Sequence, residues 1–400
     1  MMSVTITPSP APGGEVHSPH VDSANRLGIN PFRLQGVAMS LDGHRSVTVV
    51  DGYVPVIDLS AANKQDIARA VGDACTQSGF FAIVGHGVAH DLIDRMYAIT
   101  RKFFELPAAQ QATVVSGPGT CGLRPGGSAA KSAGMDAPPD LCDVFTANVL
   151  GDRGHADRMR FGTDTDPWTR ANLWPDTPTR FEQTWLDYMA AMETLGHRLM
   201  RLFALALGLD ETFFDDKVDE HISAIVANFY YRQTDSPAPG QLRRGAHTDW
   251  GVLTILYQDD IGGLQVRQEG RGWRDVPFVP GSFIINIGDM MAFWTGGHWV
   301  STPHRVLNPG AGQDNTRLSI PYFYLPNQDA PVRPVTRPGD PIDTHATTPR
   351  PVVPGKVGRH LLLIGPGRCV PSSRSGRGSG AWLLRSPADG VWSTVTVVAT

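Results

Sequence analysis

Between residues 222 and 325 the chain is cut into short β-branched and aromatic runs, each closed by Gly, Pro or Asp, and this pattern constrains the fold more than any other feature. The runs cover 225–230, 252–257, 264–266, 282–286 and 318–323. Regularly spaced short strands with turns between them predict a β-sandwich or barrel. The 43 Gly, 32 Pro and low charged fraction of 18% fit that reading better than a helical bundle.

Helical spacing is found upstream. Ile67, Ala70, Val71 and Ala74 predict a helix over about 61–77, and a second follows over 89–104 with Pro107 as its stop. The longest pattern runs over 182–209 through Trp185, Met189, Met192, Leu195, Leu199, Leu202, Phe203 and Leu207, as in a scaffold helix packed on a sheet. Strands are expected at 54–59 and 79–84, and a mobile surface loop over 114–134. Four regions result: a flexible N-terminal arm, 1–52; an α/β region with scaffold helices, 53–220; a catalytic core, 221–335; and an atypical, disordered tail, 336–400, with six Lys/Arg and one Asp after residue 350.

A net charge of -4 carries no basic footprint for nucleic acid. No apolar run is long enough for a membrane helix, and no secretory leader is evident, so a cytoplasmic monomer acting on a small molecule is expected. Cys75, Cys121, Cys142 and Cys369 are scattered, which suits free thiols in a reducing compartment.

The chemistry concentrates in Gly245-Ala246-His247-Thr248-Asp249-Trp250-Gly251. Residues two apart on an extended chain share a face, so His247 and Asp249 can converge on one ion. His304 supplies a third ligand from a distant strand, in preference to His298 six residues earlier. Two imidazoles and one carboxylate leave up to three octahedral positions open, as iron(II) needs when it binds a co-substrate and O2 together. Thirteen residues after His304, Arg317 and Ser319 share a face, and a guanidinium beside a hydroxyl matches a carboxylate. Asn228 and Tyr230 offer an amide and a phenol two apart on the strand before the metal segment.

Taken together, 54–326 resembles the iron(II)/2-oxoglutarate-dependent dioxygenase superfamily in its isopenicillin N synthase-like branch. The resemblance rests on Val54-Pro55-Val56-Ile57-Asp58-Leu59-Ser60, Gly79-Phe80-Phe81, Gly85-His86-Gly87 and Asn172-Leu173-Trp174-Pro175. It continues, in the family's order, through Asn228-Phe229-Tyr230, His247-Thr248-Asp249, Gly262-Gly263-Leu264-Gln265-Val266, Asn286-Ile287-Gly288-Asp289, His304-Arg305-Val306 and Arg317-Leu318-Ser319.

The resemblance implies a mainly β fold, a double-stranded β-helix (jelly-roll) core with flanking helices. It implies iron on His247, Asp249 and His304. Arg317 and Ser319 would clamp the distal carboxylate of 2-oxoglutarate, Tyr230 adding a hydrogen bond and Asn228 lying beside the pocket. No catalytic residue beyond the metal site is implied. The implied reaction turns 2-oxoglutarate and O2 into succinate and CO2 while a substrate C–H bond is hydroxylated, desaturated or closed into a ring, with ascorbate as a possible stimulant and secondary metabolism as the setting. Phe229, Phe293, Trp294, Trp299 and Phe323 are candidates for apolar pocket walls, against the alternative that each is core. Two enzyme alternatives stand beside this: an iron oxidase of the isopenicillin N synthase type without 2-oxoglutarate, and a zinc hydrolase. A non-catalytic small-molecule-binding relative is the alternative of another class.

Overall fold

The computed structural model describes residues 53–126, 138–232, 236–309 and 316–335, with the backbone of 47–50, 380–385 and 392–397. The expected N-terminal arm and C-terminal tail fall almost wholly outside these residues. Within the tail, the backbones of Gly380–Arg385 and Trp392–Val397 pair antiparallel.

Two sheets organise the rest. The strands are β1 (Val47–Val50), β2 (Val54–Asp58), β3 (Phe80–Val84), β4 (Leu123–Arg124), β5 (Asp143–Asn148), β6 (Ala224–Tyr230), β7 (Arg244–His247), β8 (Leu253–Gln258), β9 (Leu264–Gln268), β10 (Gly272–Asp275), β11 (Phe283–Ile287), β12 (His304–Val306) and β13 (Arg317–Tyr324). The major sheet has the order β1-β2-β3-β11-β8-β13-β6-β5-β4, and the minor sheet β10-β9-β12-β7. Strands of both sheets line one cavity. The mainly β architecture with flanking helices is thus as expected.

Side-chain parity divides the major sheet. On β13, Arg317, Ser319, Pro321 and Phe323 line the cavity, while Leu318, Ile320, Tyr322 and Tyr324 enter the hydrophobic core. The same alternation sends Asn228 and Tyr230 inward from β6 and Phe229 outward.

Three helices cover the core face: α1 (Lys64–Gln77), α2 (His90–Phe104) and α3 (Phe181–Ala206). Helix α1 begins later than its apolar spacing implies because Asn63 caps it, accepting the amides of Gln65 (3.0 Å) and Asp66 (3.4 Å). Helix α3 buries Trp185, Tyr188, Met192, Leu195, Leu199 and Phe203, spaced three and four apart. Gly196 lets it approach β13, since a Cβ there would meet the Tyr324 ring at 2.4 Å.

The expected surface loop over 114–134 is corrected in its first part. Val114, Cys121 and Leu123 are buried, and Leu123–Arg124 forms the edge strand β4 on β5. Gly122 marks tight packing here, because a Cβ on it would meet the Val114 carbonyl at 2.4 Å. Residues 127–134 lie outside the described residues.

Candidate metal centre

His247 ends β7 and His304 opens β12, and the two residues are register partners across the minor sheet. Their ring centroids are 4.3 Å apart. Asp249 follows two residues after His247, and its Oδ1 lies 3.7 Å from the Nε2 of each imidazole. One ligand atom from each of the three falls within 4.8 Å of the others, the only such His/Cys/Asp/Glu group among the described residues.

The surroundings fix which atoms face the common point. In each histidine Nδ1 is bonded to a backbone carbonyl two residues earlier: His247 to Gly245 (2.8 Å) and His304 to Thr302 (3.2 Å). Nδ1–H therefore donates, and the Nε2 lone pairs point at Asp249. Burial, reinforced by His304 and Arg244, pushes the His247 imidazole down to about 3, so it is neutral near pH 7, as a ligand must be. Asp249 Oδ2 accepts from Thr254 Oγ1 (2.6 Å) and Asn286 Nδ2 (2.7 Å), which leaves Oδ1 for an ion. Burial works to raise the Asp249 carboxyl, but His304, His247 and these two donors outweigh it and hold it below the ordinary carboxylate range. The donor set and its buttressing fit a divalent transition metal.

The loop after β11 supports this arrangement from behind. The Asp289 amide donates to the Asp249 carbonyl (2.7 Å), and its carboxylate accepts from Thr248 Oγ1 (3.0 Å). Gly288 has no room for a side chain, since a Cβ would lie 2.0 Å from the Gly251 carbonyl oxygen. His298 is exposed in the turn after the helix Asp289–Trp294 and stands outside the ligand group. His86 is a turn residue, accepting from the Val88 amide through Nδ1 (3.1 Å) and bonded to Gly281 O through Nε2 (3.0 Å).

Arg317, Ser319, Tyr230 and Asn228 all line the same cavity as His247, Asp249 and His304. The Arg317 side chain is 1% exposed. Its Nη2 donates to Gln258 Oε1 (3.1 Å), while Nε and Nη1 have no hydrogen-bond partner among the described residues. Its Cζ lies 5.1 Å from the Tyr230 ring centroid. Asn228 Oδ1 is likewise buried without a partner.

Of the five aromatic wall candidates only Phe323 lines the cavity. Phe229 stacks on Phe104 (4.9 Å) in the core because it alternates with Asn228 and Tyr230. Trp294 packs on Phe214 (5.0 Å) and Trp299 on Phe203 (5.0 Å), both in the core, and Phe293 packs against that core. The cavity wall is completed instead by Phe80, edge-on to His304 at 5.3 Å, with Leu256, Leu264, Val306 and Pro321. Arg244, Thr254 and Asn286 also line it, and none has a role in the sequence reading. Arg244 is recoverable only if the regular alternation of β7 breaks.

The chain matches two family models, the 2OG-Fe(II) oxygenase superfamily over residues 222–326 and the N-terminal region of non-haem dioxygenases in morphine synthesis over 54–177. It is 33% identical over 288 residues to homoarginine-6-hydroxylase 2-ODD-233 of Oryza sativa subsp. japonica, covering 70% of this chain and 84% of that one. It is also 33% identical over 305 residues to validamycin A dioxygenase of Streptomyces hygroscopicus subsp. limoneus, covering 72% and 80%. Among solved structures it resembles the rice dioxygenase for auxin oxidation (28% identity, TM-score 0.56, 78% of this chain and 95% of that one). Full-length Neurospora crassa T7H in complex with alpha-KG and thymine shares the fold (24% identity, TM-score 0.64, 79% and 98%). The chain belongs to the 2OG-Fe(II) oxygenase superfamily and is an iron(II)- and 2-oxoglutarate-dependent oxygenase acting on a small organic substrate.

Proposed function

We propose that His247 Nε2, Asp249 Oδ1 and His304 Nε2 hold the iron, and that Arg317 takes the distal carboxylate of 2-oxoglutarate with Ser319, Tyr230 and Asn228 around it. The observation that carries the second assignment is the pair of buried, unpartnered donors on Arg317. A buried donor costs about 1–3 kcal/mol when left unsatisfied, and a carboxylate meeting the guanidinium end-on takes Nη1 and the second Nη2 hydrogen through charge-assisted bonds, while Nε keeps the longer contact to Asp259.

Bound iron with 2-oxoglutarate supplies the oxidising chemistry, with succinate and CO2 as by-products of C–H oxidation. The protein's own part is positional. Thr254 and Asn286 turn the Asp249 carboxylate, the Gly245 and Thr302 carbonyls set the imidazole tautomers, and Arg317 anchors the far end of the co-substrate. Phe80, Leu256, Leu264, Val306, Pro321 and Phe323 keep water away from the reacting atoms.

Titration of the full-length protein with iron(II) and 2-oxoglutarate under anaerobic conditions, followed by succinate measurement after oxygen is admitted, tests this. One 2-oxoglutarate bound per iron is expected, with succinate formed after oxygen only where iron and 2-oxoglutarate are both present. Co-substrate binding that persists unchanged in Arg317→Met would refute the Arg317 assignment.

A further inference from the structure

A second arginine lies on the cavity wall, and a fault in the sheet puts it there. His304 pairs with His247 and Val306 with Arg244, so β7 advances three residues where β12 advances two. This bulge changes the facing of everything before it. In a regular strand Gly245, two before His247, would face the cavity and Arg244 would point away. With the extra residue Arg244 lines the cavity beside His247, as Val306 does beside His304.

Its guanidinium is underused. Asp140 Oδ2 lies 3.6 Å from Nη1, too far for a hydrogen bond. Its other neighbours are the Tyr230 phenol and the Cys142 thiol, the latter raised by burial to about 11 and so kept neutral. The arrangement copies that of Arg317. There, Asp259 stands 4.0 Å from the guanidinium and accepts the amide of the next residue, Leu318, at 2.7 Å. Here, Asp140 accepts the amide of the next residue, Gly245, at 2.9 Å. In both cases a buried carboxylate grips the backbone, balances the charge at a distance, and leaves the guanidinium's donors for something else. The two differ in place. The Arg317 side chain is 1% exposed, and the Arg244 side chain is 21% exposed. Arg244 acts electrostatically on Tyr230 as well as on His247 and Asp249, and its place on β7 before His247 sets it beside the candidate metal residues.

We propose that Arg244 is a substrate-binding residue that receives a carboxylate of the substrate, making this enzyme an oxygenase of small organic acids. The inference rests on the assignment of the iron and 2-oxoglutarate sites given above. Arg317 serves the co-substrate's distal carboxylate, and Arg244 meets the acid group of the molecule to be oxidised.

Calorimetry on the full-length protein loaded with Zn(II) and 2-oxoglutarate reads binding without turnover. The probes are phenylacetate, hexanoate and N-acetylleucine, each beside its primary amide. At least one acid is expected to bind about tenfold or more tightly than its amide, the scale of one charge-assisted contact. Arg244→Met removes that preference while 2-oxoglutarate affinity stays within about threefold. Asp140→Asn keeps the acceptor for the Gly245 amide and removes the competing charge, so acid binding tightens several-fold; a merely structural ion pair predicts no such gain. Acids and amides binding alike, or a preference that survives in Arg244→Met, overturns the proposal. So does a loss of 2-oxoglutarate affinity in Arg244→Met with acid preference retained, which would move Arg244 to the co-substrate. Failure of the loaded wild type to bind 2-oxoglutarate overturns the underlying site assignment together with this one.

Discussion

Strands β13 and β7 both deliver an arginine to the cavity, and they do it by opposite means. Strand β13 is long and keeps strict alternation over eight residues, so Arg317 and Ser319 face inward as their spacing dictates. Strand β7 has four residues and breaks its register against β12, so Arg244 faces inward against its spacing. A regular strand transmits the sequence pattern to the site unchanged. A bulged one rewrites it, and does so where His247 and His304 meet.

The sharpest way to break the comparison is to remove the carboxylate that follows β7 and completes the candidate metal site. Asp249→Ala leaves two imidazoles with no anionic ligand, and iron affinity is expected to fall more than about a hundredfold with turnover abolished. Iron titration followed by optical spectroscopy measures it, and unchanged binding in the variant would mean the three residues are not the metal site. The next largest effect belongs to β13. Arg317→Lys keeps the charge but cannot present a fork, so the KM for 2-oxoglutarate should rise about tenfold or more while iron affinity is preserved. A variant in which both constants move together would make Arg317 a structural residue, and the contrast between the two strands would lose one of its arms.

What could be read from the sequence follows the same division. That His247, Asp249, His304, Arg317, Ser319, Tyr230 and Asn228 share one cavity was legible because all depend on residues two apart in extended chain or on family spacing. Phe229 fails as a wall residue by that very rule, since it sits between two inward-facing neighbours. Trp294 and Trp299 lie in and beyond a short helix, where parity gives no guidance, and core and cavity accept the same aromatic types. His298 and His304 are separated by an even number of residues, so parity alone cannot choose between them; the turn that exposes His298 does. Thr254 and Asn286 were not assignable because their importance is a hydrogen bond across neighbouring strands, and sequence distance does not encode a strand neighbour.

These two residues give the finest test of how a site on an irregular strand is held. Asp249 lies just past β7, outside any ladder, so its carboxylate is oriented by side chains from β8 and β11 and not by its own strand. Register pairs Asn286 with Thr254, which brings the two donors to one Oδ2. Thr254→Val is nearly isosteric and removes one donor; Asn286→Leu removes the other. Each single change should weaken iron binding about tenfold, with 2-oxoglutarate affinity of the residual metal complex little altered. Because the two bonds restrain the same oxygen, the first loss is partly covered by the surviving partner. The double variant should therefore lose more than the product of the single effects. Strict multiplicativity in iron affinity would mean that each donor acts alone. The carboxylate would then be held by the chain around it, most directly through the Asp289 amide on its own carbonyl.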